Sequence, residues 1–66
     1  MNIIVNGKPE RVTSNITVSE LLSQLDHRAE GVAVAVNLEF VPRALHAQRA
    51  LSEDDQVEIV APIAGG

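Results

Sequence analysis

The sequence TVSELLSQL, residues 17–25, predicts the clearest helix in this chain of 66 residues. Thr17 and Glu20 have the spacing of a capping box, in which each side chain accepts a hydrogen bond from the other residue's backbone N–H. Apolar residues at i, i+3, i+4 and i+7 form a single stripe along the helix: Val18, Leu21, Leu22 and Leu25. A helix with one apolar stripe has to bury it against another element, so the flanking segments complete the fold.

One residue on each side of the helix predicts how the helix is anchored and where it ends. Ile16 precedes the capping residue and can pack on Leu21 as a hydrophobic staple. We expect the helix to fade over residues 28–30 and to stop at Gly31, because glycine readily adopts the left-handed conformation that follows many helices.

Two strands are predicted before the helix. Residues 2–6 are rich in β-branched side chains, which favour a strand. Asn6-Gly7 is a strong signal for a two-residue hairpin turn, since both residue types tolerate a positive φ. Residues 10–13 alternate polar and apolar side chains and predict the second strand, with Pro9 at its start or on a sheet edge because proline has no N–H to donate.

Three strands and a short helical turn are predicted after the helix. Residues 32–36 alternate valine and alanine and predict a central strand, with the valines on one side and the alanines on the other. Residues 40–41 predict a short fourth strand, and residues 42–47, which begin with proline, predict a helical turn. Residues 56–61 alternate again and predict a fifth strand, which follows an acidic turn at residues 52–55.

The order of these elements predicts an α+β roll. It would be a mixed sheet of four to five strands with one main helix on one face and a short helical turn. We expect a compact domain over residues 1–61 and a flexible tail over residues 62–66. Pro62 lacks a donor for a sheet ladder, and the two final glycines lose more entropy on ordering than any other residue type.

Length and composition exclude several functions. The chain has no cysteine, which excludes disulfides, thiolate metal sites and thiol nucleophiles. A domain this small rarely encloses a substrate pocket of about 300–1,000 Å³, which argues against an independent enzyme. The net charge is −4 and the 5 basic residues are scattered, so nucleic acid is a poor partner. Residues 1–5 resemble a strand, so we expect no signal peptide, no membrane partner and a cytoplasmic location.

Side chains offer few candidates for chemistry. His27 and His46 show no metal-ligand spacing, and we expect both to be ordinary surface residues. Residues 53–55 lack the ligand ladder of a calcium loop, so a solvated turn is expected there. The sequence therefore predicts neither a catalytic side chain nor a metal site.

The last two residues, Gly65 and Gly66, are the remaining candidate. A segment without Cβ atoms can thread a narrow channel, and residues 62–66 could span up to about 17 Å when extended. The tail could thus deliver its final carboxylate into a partner's active site while the folded domain stays outside. A carboxylate becomes a good electrophile once it is converted to an acyl-adenylate, and a sulfur nucleophile could then displace AMP to leave a C-terminal thiocarboxylate.

This layout resembles the ThiS family of sulfur carriers from thiamin biosynthesis, which have the β-grasp (ubiquitin-like) fold. The resemblance covers nearly the whole chain and lies in these segments: Ile3-Ile4-Val5-Asn6-Gly7, Val18-Ser19-Glu20-Leu21-Leu22, Val36-Asn37, Phe40-Val41-Pro42-Arg43, Val57-Glu58-Ile59 and Ile63-Ala64-Gly65-Gly66. The family often has Gly-Asp in the last turn, where this chain has Asp54-Asp55.

The resemblance implies a function and a set of partners. A ThiF-like adenylating enzyme would activate Gly66 with ATP and Mg²⁺, a sulfur donor system would convert it to a thiocarboxylate, and the thiazole synthase ThiG would receive the sulfur. ATP would belong to the partner, so the chain itself would bind no cofactor. The tail that enters these enzymes would be Ile63, Ala64, Gly65 and Gly66, and we expect partner contact at Glu58, Val60 and Pro62.

Three alternatives remain open at this point. A MoaD-like subunit would donate sulfur to a molybdenum cofactor precursor, although such chains tend to be longer. A ubiquitin-type modifier would join its final glycine to lysines of other proteins. A plain interaction module would have an inert tail and would function without Gly66.

Overall fold

The structure, a computed structural model, describes residues 1–26 and 31–60. Its elements in chain order are the strands β1 (Asn2–Val5) and β2 (Lys8–Arg11), the helix α1 (Val18–Gln24), the strands β3 (Ala33–Val36) and β4 (Glu39–Val41), a 3-10 helix (Arg43–Leu45) and the strand β5 (Gln56–Val60). The five strands form one sheet in the order β2-β1-β5-β3-β4. The predicted α+β roll with a mixed sheet is therefore confirmed.

The middle of the sheet is formed by the last strand of the described chain. β5 pairs in parallel with β1 and antiparallel with β3, while β2 and β4 close the two edges in antiparallel pairs. The strand predicted as central, β3, is an inner strand next to β5. Pro9 lies in the edge strand β2, as its missing donor requires.

Both hairpins turn on two residues with an asparagine first. Asn6 and Gly7 have φ of 49° and 82°, which confirms the predicted β1–β2 turn. Asn37 and Leu38 have φ of 51° and 70° between β3 and β4. All four residues lie in the left-handed region, which matches the twist of the adjoining strands.

The start of helix α1 follows the prediction, but its end does not. The backbone N–H of Glu20 donates to Thr17 Oγ1 at 3.1 Å and that of Thr17 donates to Glu20 Oε1 at 2.9 Å, which confirms the capping box. The helix ends at Gln24, well before Gly31, and Asp26 has a φ of 62°. Aspartate tolerates the left-handed conformation better than most residues, so the chain leaves the helix there. Part of the predicted extension, residues 27–30 including His27, lies outside the described residues.

The core lies between the helix and one face of the sheet. The helix contributes Val18, Leu21 and Leu22, which are buried as the apolar stripe predicted. The sheet contributes alternate residues, in keeping with the two-residue period of strands: Ile3, Val5, Val34, Val36, Val41, Val57 and Ile59. Val12, Ile16 and Leu51 complete the cluster.

Two polar residues are buried although the sequence predicts both at the surface. His46 is 3% exposed, and its Nε2 lies 3.1 Å from the carbonyl oxygen of Val41, so Nε2–H donates there. Asp55 is 9% exposed and accepts from the backbone N–H of Ser52 at 2.8 Å. The predictions of a surface histidine and a wholly solvated acidic turn are wrong, because both side chains are held by backbone groups of the domain.

Candidate functional site

The tail predicted to carry the chemistry lies outside the described residues. This applies to Ile63, Ala64, Gly65 and Gly66, and also to Pro62 of the expected partner surface. The role of Gly66 and the division at residues 61 and 62 therefore stay predictions. The described chain ends at Val60, so the structure shows the strand that leads to the tail.

The final strand presents the other two residues of the expected partner surface to solvent. Val57 and Ile59 point into the core, so Glu58 and Val60 point to the opposite side of the sheet. Val60 is 64% exposed, an unusual position for a large apolar side chain. The structure thus places Glu58 and Val60 together on the side that the helix does not cover.

Neighbouring strands extend this surface with apolar side chains. In the sheet register Val60 lies opposite Ala33, Glu58 lies opposite Ala35, and Ala35 lies opposite Phe40, which is 65% exposed. Ile4 joins this side of the sheet because it alternates with the buried Ile3 and Val5 of β1. We call the set the outer face: Ile4, Ala33, Ala35, Phe40, Glu58 and Val60. Contiguous exposed apolar surface marks sites of interaction with other molecules.

The outer face is only partly visible in the sequence. The alternation over residues 32–36 predicted that the alanines share a side, and β3 confirms it, since Val34 and Val36 are buried while Ala33 is exposed. The sequence does not indicate that Phe40 belongs to this surface, because its place beside Ala35 depends on the register of the β3–β4 hairpin.

Two asparagine side chains fasten the ends of β5. Asn6 Oδ1 accepts from the N–H of Ile59 at 2.8 Å, and its Nδ2 donates to the carbonyl of Ile59 at 3.2 Å. Asn37 Oδ1 accepts from the N–H of Gln56 at 2.9 Å, and its Nδ2 donates to Asp55 Oδ1 at 3.0 Å. The sequence predicted the turn at Asn6, but not these contacts with residues far along the chain.

The described residues form no cluster typical of a metal centre. Residues 1–26 and 31–60 contain no group of three or more His, Asp or Glu side chains that could hold a metal ion. A surface cavity of about 370 Å³ is lined by Thr13, Ser14, Asn15, Ile16, Glu20 and Gln24. Its one ionisable side chain, Glu20, already accepts the capping hydrogen bond from Thr17. No helix in the described part of the chain is both long enough and apolar enough to span a membrane.

Comparisons with known proteins match the whole chain. A model described as the ThiS family matches residues 3–66. The chain is 41% identical to the sulfur carrier protein ThiS of Escherichia coli strain K12 over 66 residues, which is 100% of both proteins. It is also 41% identical to a protein named thiazole synthase from Paramagnetospirillum magneticum, but spans only 20% of that protein's length.

A solved structure has the same fold. The crystal structure of the thiamine biosynthesis protein ThiS from Geobacter metallireducens superimposes with a TM-score of 0.86 and 38% sequence identity, and covers 100% of both chains. This likeness confirms the predicted β-grasp roll.

Proposed function

Because this chain belongs to the ThiS family, we propose that it is a sulfur carrier whose Gly66 is adenylated and converted to a thiocarboxylate for thiazole formation in thiamin biosynthesis. The observation that carries the proposal is the match with the E. coli sulfur carrier protein ThiS over the full length of both proteins. The terminal Gly65-Gly66 supplies the group on which such a carrier would act. The chain would be acted on by enzymes rather than being one itself.

The chemistry consists of two balanced steps at the carbon of Gly66. A carboxylate oxygen attacks the α-phosphorus of ATP, so that an acyl–phosphate bond forms and pyrophosphate leaves. A hydrosulfide equivalent from a sulfur donor then attacks the carbonyl carbon, the new C–S bond forms, and AMP leaves with the electrons of the broken C–O bond. ATP and Mg²⁺ would be held by a ThiF-like adenylating enzyme, and this chain would bind no cofactor of its own.

The second proposed partner is a thiazole synthase of the ThiG type. Its support is the protein named thiazole synthase that contains a segment similar to this whole chain. A carrier and its sulfur acceptor have to meet for the transfer, and joining them in one polypeptide raises their effective concentration. We place the chain with these enzymes in the cytoplasm.

The outer face is the surface we propose for docking these enzymes. It spans the four adjacent strands β1, β5, β3 and β4 and includes Val60, the residue of β5 from which the chain continues toward Gly66. Val60 and Phe40 would lose exposed apolar area on docking, and removal of apolar surface from water favours association. Pro62 would extend this contact along the tail.

The names of the relatives favour this pathway over the alternatives. The two similar proteins above are named for sulfur carriage and thiazole synthesis. They give no support to a molybdenum cofactor carrier, a protein modifier or an interaction module with an inert tail. A module of that last kind would keep its activity without Gly66.

ATP–pyrophosphate exchange with a ThiF-like adenylating enzyme tests the proposal. The wild-type chain should support exchange, whereas a chain without Gly66 and a chain with alanine appended after Gly66 should not. E. coli ThiS serves as the control that the enzyme is competent. Equal exchange with all three chains, or none with the wild type beside a working control, would refute the proposal.

A further inference from the structure

The ladder between β1 and β5 continues beyond the end of β1. The chain leaves β1 after Val5 and turns at Asn6-Gly7, yet the backbone N–H of Asn6 still donates to the carbonyl of Val57 at 2.9 Å. Two residues further along β5, beyond the last residue of β1, the side chain of Asn6 takes the place of a strand backbone. It bonds both the N–H and the carbonyl of Ile59.

Without the Asn6 side chain, the end of β5 would have backbone hydrogen bonds on its β3 side alone. Successive residues of a strand direct their backbone groups to opposite sides, so Glu58 and Val60 face β3 while Val57 and Ile59 face β1. The β1–β2 hairpin has already turned away at this level, and the described residues show the amide of Asn6 as the group that bonds the backbone of Ile59. This amide is therefore the contact that fixes the β1 side of β5 where the strand ends.

Ile59 precedes Gly66 by seven positions in the sequence. Seven extended residues span at most about 25 Å, so a change of about 10° in the direction of β5 at Ile59 would move the end of a fully extended segment by about 4 Å. If β5 can point in several directions, the Gly66 carboxylate samples a larger volume. Its effective concentration at the active site of a docked partner is then lower.

From this geometry we infer that Asn6 is a positioning residue for the transfer reaction, one that fixes the direction in which β5 points toward Gly66. This inference rests on the proposed function, in which the Gly66 carboxylate enters a partner's active site. Asn6 touches neither substrate nor reacting atoms and acts through the backbone of Ile59.

Asn37, in the turn between β3 and β4, supplies a control that contacts the same strand. It occupies the first position of an equivalent turn and bonds β5 with the same amide group, but at Gln56, the opposite end from the tail. Glycine keeps the positive φ required at either position. Asn6→Gly and Asn37→Gly therefore both retain a turn and lose an amide contact with β5. They differ in which end of β5 is released, and Asn37→Gly also removes the bond to the Asp55 side chain.

The experiment measures kcat and KM for the carrier in ATP–pyrophosphate exchange, together with hydrogen exchange of the Ile59 amide. We expect Asn6→Gly to lower kcat roughly three- to tenfold with little change in KM, since fewer docked carriers place the carboxylate correctly. The Ile59 amide should exchange about tenfold faster. Asn37→Gly should leave both readouts near wild type.

Asn6→Asp provides a second variant in case the glycine variant folds poorly. Aspartate suits the same turn and keeps an acceptor for the N–H of Ile59, but it cannot donate to the carbonyl. Its kcat should fall in the same direction by a smaller factor.

Three results would overturn the inference. They are equal losses of kcat in Asn6→Gly and Asn37→Gly, a change confined to KM, and unaltered kcat despite faster exchange at Ile59. A wild-type chain that supports no exchange beside a competent E. coli ThiS control would instead refute the proposed function, and the inference with it.

Discussion

The two hairpin turns of this protein hold opposite ends of the same strand, and they do so with different supports. The side chain of Asn6 bonds one residue, Ile59, at its backbone N–H and carbonyl. Asn37 bonds the backbone of Gln56 and also the buried carboxylate of Asp55, which in turn accepts from the backbone of Ser52. The start of β5 is thus fixed by a network of polar side chains, whereas its end, on the side away from β3, is bonded by the one side-chain amide of Asn6.

This difference fits the roles proposed for the two ends. The hydrogen-bond network around Asp55 anchors the start of β5 in the middle of the sheet. The backbone N–H of Ile4 also donates to the carbonyl of Asp55 at 2.9 Å. At the other end of β5, the amide of Asn6 orients the strand but is not part of a larger hydrogen-bond network. We expect the second end to be the one where a single substitution changes function more than stability.

The largest expected effect comes from removing the centre of the network. Asp55→Ala leaves the Ser52 N–H and the Asn37 amide without their acceptor, which should lower the free energy of unfolding by about 2–3 kcal/mol. Urea unfolding followed by far-UV circular dichroism measures this, because the chain has no Trp or Tyr for fluorescence.

Glu53→Ala is the control for this variant. Glu53 accepts from the exposed backbone N–H of Asn2 at 3.1 Å, so its loss should cost only about 0.5 kcal/mol. Equal costs for the two variants would contradict the claim that the start of β5 is built on Asp55.

The second residues of the two turns should respond in opposite directions. Gly7 has a φ of 82° and a Cβ added there would meet open space, so Gly7→Ala should cost about 1–2 kcal/mol for conformational reasons alone. Leu38 has a φ of 70° and is 88% exposed, so Leu38→Gly should instead stabilise by about 0.5 kcal/mol. Thermal and urea unfolding of both variants test this, and the same sign in both would show that the turns are not conformationally equivalent.

A double-mutant cycle tests the network more sharply than any single variant. Asn37→Gly and Asp55→Ala share a hydrogen bond and should show a coupling of about 1 kcal/mol. Asn6→Gly and Asp55→Ala share no contact and should add within about 0.5 kcal/mol. Coupling of similar size in both cycles would remove the distinction between the two ends of β5.

The smallest expected effect lies in the turn that enters β5. Asp54 has a φ of 67°, in the left-handed region that favours glycine. Asp54→Gly should raise the free energy of unfolding by about 0.3–0.5 kcal/mol, because aspartate tolerates this conformation with a small penalty. Its backbone N–H donates to the carbonyl of Asn2 at 2.8 Å, a contact that glycine keeps. A loss of stability in urea unfolding would mean that the Asp54 side chain contributes more than its backbone strain costs.

Local sequence patterns were sufficient for the strands, the capping box and the Asn6-Gly7 turn. Each depends on residues within a few positions of one another. The capping box and the turn appear where they are predicted, whereas the second strand spans Lys8–Arg11 instead of residues 10–13, because it pairs with β1 directly from the two-residue turn. The helix end was misplaced because Asp26 and Gly31 are both compatible with a left-handed residue, and the sequence rule favours glycine.

Features set by distant contacts could not be predicted in this way. His46 is buried because it bonds the carbonyl of Val41 at the end of β4, and Asp55 because it meets Asn37, 18 positions earlier. The amide of Asn6 reaches Ile59 across 53 positions. The outer face likewise depends on strand register, whereas the role of Gly66 stays a prediction from the sequence and the family.

Sulfur carriage at Gly66 is tested most directly by the mass of the protein after incubation with a ThiF-like enzyme, ATP and a sulfide source. Exchange of one oxygen for sulfur should appear only with ATP, and fragmentation should confine the added mass to pieces that contain Gly66. Absence of that gain while E. coli ThiS acquires it under the same conditions, or a gain in fragments without Gly66, would contradict the proposed role of this chain.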